Sequence, residues 1–129
     1  MPVEVNRPDV VAEVAAAFES YEAALVDNEV ERMTEAFWSS DLTVRYGIRE
    51  CQYGAEEIAA WRREAPPLPP GRALGPTVIV TFGSDTACVN TEFRNPGGGA
   101  IGRQSQTWLR FPEGWKIVSA HVSLMFTDS

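Results

Sequence analysis

Apolar side chains recur at helical intervals through residues 8–27. Val11, Val14, Phe18, Tyr21 and Leu25 stand three, four, three and four apart, so they share one face of a helix, and Tyr21 lies on its buried stripe. Pro8 suits the first turn, where no amide donor is needed, and Asp9 complements the positive end of the helix dipole. Asn28 with Glu31 reads as a capping box, and Val30, Met33 and Phe37 predict a second, shorter helix folded back on the first as a hairpin. From Leu42 the period becomes two: Leu42, Val44 and Tyr46 alternate with Thr43 and Arg45, which predicts a strand. A third helix is predicted over 55–64, with Ile58, Trp61 and Arg62 on one face. The proline-rich stretch 65–76 cannot extend it and reads as an extended connection. Four strand-like runs follow, 77–82, 86–94, 101–111 and 115–126, separated by glycine-containing turns, the pattern of an antiparallel meander. The last two runs are about twice the usual ~5–6 residues, so strong curvature is expected.

This order of elements predicts one α+β domain over 1–129, a cone in which three helices pack on a strongly curved antiparallel sheet and a pocket opens where they diverge. The length, 129 residues with 44% hydrophobic side chains, suits a single core. No apolar run approaches the ~20 residues that span a bilayer, and no basic segment precedes an apolar one near the N-terminus, so a cytoplasmic protein without membrane contact is expected. The net charge is −7, with 14 acids against 6 bases in residues 1–64 and 4 against 5 in 65–129. Such a balance disfavours nucleic-acid binding, which needs clustered cations. Two cysteines without CxxC spacing and a single histidine give almost no ligand supply for a metal centre, so neither metal nor cofactor is expected and the chemistry falls to organic side chains.

The tail Gly102-Arg103-Gln104-Ser105-Gln106-Thr107-Trp108, followed by Gly114-Trp115 and Ala120-His121-Val122-Ser123, resembles the AtzH-like family, which includes proteins associated with oxalurate catabolism, within the NTF2-like superfamily. Tyr21 and Arg45-Tyr46-Gly47 agree with it, and the resemblance spans roughly residues 9–126. It implies a cone with a small polar pocket and a homodimer or larger homo-oligomer built on the open sheet face. One type of member is a decarboxylating amidohydrolase that acts on a small ureido dicarboxylate in cyanuric acid degradation, in which a tyrosine and an arginine are implicated. Those roles carry over to Tyr21 and Arg45. The superfamily also contains pure association domains, including the hub domain of a calmodulin-dependent kinase.

The residues supply candidates beside the resemblance. Tyr21 is either a structural phenol bonded to a carbonyl or a donor to a polarised ligand atom. Arg45 faces solvent or the cavity; inside, it needs an anion, from Glu50 or from a substrate carboxylate, and the ligand is the favoured partner. On that reading, removing Arg45 abolishes carboxylate affinity and leaves the empty protein as stable or more so. On the last strand, Ile117, Ser119, His121 and Ser123 share a mostly polar parity, which is either a solvated surface or a pocket lining with Ser123 in the wall and His121 able to move a proton. Arg103 or Gln104 faces the pocket, and register alone decides which. Arg94 is a second possible clamp and Tyr46 a further contact. Cys51 is a weak nucleophile candidate whose base would have to be His121. Taken with the resemblance, which implies the chemistry, these residues fit a cofactor-independent hydrolase acting on a C–N bond of a small ureido or carboxylate compound, or a non-catalytic oligomerising domain that binds a small carboxylate. A ketosteroid-type isomerase is disfavoured, because Thr43-Val44-Arg45-Tyr46 offers no aspartate base. Trp108 and Leu109 are expected to form an exposed apolar patch at the dimer interface.

Overall fold

Three helices cover one side of a six-stranded sheet. The computed structural model describes residues 2–127. The elements in chain order are α1 (Pro8–Val26), α2 (Val30–Glu35), β1 (Val44–Tyr46), β2 (Cys51–Tyr53), α3 (Ala55–Glu64), β3 (Ala73–Phe82), β4 (Thr86–Arg94), β5 (Ala100–Phe111) and β6 (Gly114–Phe126). The sheet order is β2-β1-β6-β5-β4-β3. Every pair is antiparallel except β1 with β6, which run parallel.

The helix α1 buries the stripe its spacing requires, with Val10 rather than Val11 as the first member. Val14, Phe18 and Tyr21 meet Val89, Trp108 and Ile117 of the sheet in one core, and Tyr21 packs edge-on against Phe37 at 5.9 Å between ring centroids. α2 starts without the expected capping box. Glu29 stands at its N-cap with no side-chain bond, while Asn28 takes a left-handed conformation at φ +53°, one that asparagine tolerates. Phe37 lies beyond α2, in a bridge beside Ile117 that leads the chain toward β1.

Two strands depart from the pattern. β2 is a three-residue edge strand after the tight turn at Gly47, where Gly47 N–H donates to the Glu50 carbonyl at 2.8 Å. β3 starts at Ala73, inside the expected connection, and contains Pro76. It is the opposite edge of the sheet, where a missing amide costs no ladder bond, and its register slips between Leu74 and Thr77.

A bulge on β6 reverses the parity read from the sequence. Trp108 pairs with Ile117 but Thr107 pairs with Ser119, leaving Val118 unopposed. Ile117 is therefore buried in the core, whereas Ala120 faces the cone and Ser119 and His121 are exposed on the outer face. Trp108 also turns inward and is 1% exposed, which removes it from any outer apolar patch.

Candidate functional site

A cavity of about 190 Å³ lies between α1, α3, the segment before β3 and the concave side of β1, β4, β5 and β6. Three arginines reach it from different elements, together with Tyr21.

Arg45 comes from β1, where the polar parity points inward: Thr43 and Arg45 are buried while Leu42 is 72% exposed. Its Nη1 donates to Glu50 Oε1 at 2.8 Å and to Gln52 Oε1 at 2.9 Å. Glu50 is seated over Gly47, where an added Cβ would lie 1.6 Å from Oε1, and its Oε2 accepts from the Arg49 amide at 3.2 Å. The anion of Arg45 is thus Glu50, a residue of the same hairpin.

Arg72 is the second paired cation. It donates to Glu22 through Nε at 3.3 Å and Nη2 at 3.2 Å, and its guanidinium lies 4.2 Å from the centroid of Phe93. Gln104 joins the pair by donating Nε2 to Glu22 Oε2 at 3.0 Å.

Arg62 differs. It stands one turn after Ile58 on the buried side of α3, is 7% exposed, and packs at 4.8 Å against the Trp61 ring whose centroid lies 4.4 Å from Arg45. Among the described residues no carboxylate lies in ion-pair range of it, and the Tyr21 phenol is the side-chain hydrogen-bond partner beside it. Burial pushes its pKa down; the nearby Tyr21 phenol and Glu50 carboxylate favour the cation, while Arg45 disfavours it.

Gln104, not Arg103, faces the cavity, and Gln106 follows it two residues on. Gln106 is 4% exposed and its Oε1 accepts from Trp108 Nε1 at 3.1 Å. Asn95 also lines the wall, and its shielded Oδ1 has no partner among the described residues.

Of the residues singled out from the sequence, Tyr21, Arg45 and Gln104 come together here. His121, Ser123, Arg103 and Tyr46 lie on the outer face. His121 packs edge-on against Tyr46 at 5.6 Å, Tyr46 and Tyr53 share a hydroxyl contact at 3.1 Å, and Arg103 donates to Ser123 at 3.2 Å. The Tyr46 hydroxyl, chiefly as a hydrogen-bond partner, holds the Tyr53 pKa above the ordinary phenol value. Arg94 is exposed at the end of β4, and Cys51 is exposed on the row Cys51, Tyr46, His121, away from the cavity. Arg62, Arg72, Glu50, Gln106 and Asn95 complete the site. The signal for Arg62 was an arginine four residues after a core isoleucine. Among the described residues no group of three His, Cys, Asp or Glu is placed to hold a metal, and no helix is long and apolar enough to cross a membrane.

The model of the AtzH-like family matches residues 3–128. The chain belongs to the AtzH-like family. It is similar to a cystatin-like fold protein from Burkholderia xenovorans LB400, with 53% identity over 98% of this chain and 99% of that one and a TM-score of 0.94. A DUF3225-family protein of unknown function from Pectobacterium atrosepticum SCRI1043 is 54% identical over 94% of both chains, with a TM-score of 0.91. An NTF2-like superfamily protein from Salmonella enterica shares the fold at 21% identity, over 94% of each chain, with a TM-score of 0.73. The expected NTF2-like α+β architecture is therefore that of this AtzH-like chain. No curated protein matches it.

Proposed function

We propose that this AtzH-like protein hydrolyses a C–N bond of a small ureido or amide carboxylate held in the cone cavity. Arg62 carries the reading: a buried guanidinium without a carboxylate beside it is costly, and a ligand carboxylate offsets that cost with two parallel charge-assisted hydrogen bonds. Arg45, already held by Glu50 and Gln52, adds positive potential at the same end. Tyr21 supplies the proton. Water adds to the carbonyl carbon, the phenol proton passes to the leaving nitrogen as the C–N bond breaks, and the phenol recovers a proton from the added water. A carbamate product then loses carbon dioxide without further help from the protein.

One observation favours a binding domain without turnover. Glu50, a carboxylate lining the cavity, has both oxygens already engaged, one by Arg45 and one by the Arg49 amide. Under either reading the partner is a small anion, and a second copy of the chain docks on the outer sheet face around Tyr46, Tyr53, Arg103, His121 and Ser123.

The test pairs Arg62→Met with Tyr21→Phe on ureido carboxylates, following ammonia release and, separately, ligand affinity by calorimetry. Tyr21→Phe is expected to lose ~10²–10⁴-fold in turnover with affinity retained, and Arg62→Met to lose affinity. Wild-type turnover that survives Tyr21→Phe defeats the catalytic assignment. Arg62-dependent binding with no wild-type turnover establishes the binding domain instead.

A further inference from the structure

The side chains on the cavity floor are closed off from solvent. Tyr21, Arg45, Arg62, Gln104 and Gln106 are each 7% exposed or less, yet they enclose room for a small molecule. Whatever fills that room must first pass the rim, to which the connection between α3 and β3 contributes Leu68.

That connection is a stiff rod with few attachments. Pro66, Pro67, Pro69 and Pro70 fix their own φ angles and hold the residues before them extended, so Ala65 to Pro69 favours a polyproline II rod with three residues per turn. Ala65 is extended already, at φ −70° and ψ 142°. The three-residue period turns Leu68 toward the core and leaves the prolines exposed. Prolines offer no amide, and among the described residues no backbone hydrogen bond joins 66–71 to another element. Both ends are placed to bend. The rod begins where α3 stops at Ala65, and it ends at Gly71, whose φ of +95° suits glycine. Gly71 also leans on the next rim loop, where an added Cβ would lie 2.6 Å from Pro96 Cγ. Beyond it, Arg72 stays with the body of the molecule through Glu22 and Gln104.

We propose that residues 65–71 form a gate over the cavity, a rigid strap that swings between Ala65 and Gly71 with the Leu68 side chain as its bolt. Opening breaks the contacts of one half-buried leucine and no backbone hydrogen bond to another element, so it is far easier than unfolding. The gate takes from the reading above only that a small molecule enters the cavity; it is independent of what that molecule is and of turnover.

A neutral thiol reagent tests the gate without reference to any ligand. Ala120→Cys, combined with Cys88→Ser, places one thiol on the cavity floor and keeps the exposed Cys51 as a reference in the same chain. Modification of each site by iodoacetamide is followed by peptide mass spectrometry. When trapping is slower than reclosing, the cavity rate reports the open fraction. It is expected to be at least ~100-fold below that of Cys51, and Leu68→Ala should raise it ~10-fold, the scale of exposing part of a leucine side chain. Low urea should change it with less than about a quarter of the slope of equilibrium unfolding, because a moving strap exposes little surface. Val10→Ala, in the core and outside the cavity wall, weakens the whole fold and should leave the cavity rate within about threefold. Circular dichroism confirms that each variant is folded. The gate is overturned by a cavity thiol as reactive as Cys51, by an unchanged rate in Leu68→Ala, by an equal gain in Val10→Ala, or by a rate that follows the full unfolding slope. Gated trapping in a protein that binds no carboxylate in calorimetry removes the reading above and leaves this inference standing.

Discussion

Two guanidinium groups lie against one indole ring, and their surroundings assign them different work. Arg45 is tied to Glu50 and Gln52 through one nitrogen, while Arg62 has no carboxylate in ion-pair range and lies beside the Tyr21 phenol. A cavity-facing Arg45 awaiting a ligand anion would leave the empty protein as stable or more so on its removal. The hydrogen bonds reverse that expectation. Arg45→Ala strips the partner from a partly buried carboxylate and a buried amide, and stability should fall by ~1–3 kcal/mol, measured as a lower urea midpoint at an unchanged slope. A midpoint equal to or above wild type contradicts the pairing. Tyr21 was legible because it sits on a helical stripe, and Arg45 because it breaks the apolar alternation of a strand. His121 was misassigned because one unopposed residue, Val118, moves every later side chain of β6 to the other face, and nothing in the local sequence marks the bulge.

At the level of elements, long periodic segments were readable and short or edge segments were not. α1, α3 and the paired runs of β4 to β6 follow from their spacing, whereas β2 has too few residues to show a period and β3 contains a proline that an edge position accommodates. The contact between β4 and β5 places one more constraint on the site. Phe93 pairs with Gly102, and a Cβ at Gly102 would lie 2.2 Å from the Phe93 ring, so the glycine lets that ring lie flat and support Arg72. Gly102→Ala must push the ring into the cavity. A loss of ~1–3 kcal/mol is expected in chemical denaturation, as for an overpacked core, together with weaker binding of any ligand that reaches Arg72. Wild-type stability with unaltered affinity would show that the ring has another place to go.

For the whole molecule, the dimer expectation changes its basis. Trp108 cannot support it, being in the core, and the outer face instead presents tyrosines, a histidine and polar side chains beside Val78 and Met125. Tyrosine-rich surfaces of mixed polarity suit interfaces between copies. Sedimentation at micromolar concentration is expected to give twice the chain mass, and a species of 14.2 kDa there excludes the dimer.

The parallel pairing of β1 with β6 also orders events in time. The meander from β3 to β6 is built from neighbouring hairpins, each closing a short loop, but Val44 must find Ser119 across more than half the chain. Such a contact is rewarded only after a large entropic cost has been met, so it forms late in folding. Arg45 rides on that strand. The cavity wall that brings Arg45 to Trp61 is therefore among the last parts of the molecule to close, and a chain with its meander complete and β1 undocked would hold most of its core and no finished cavity.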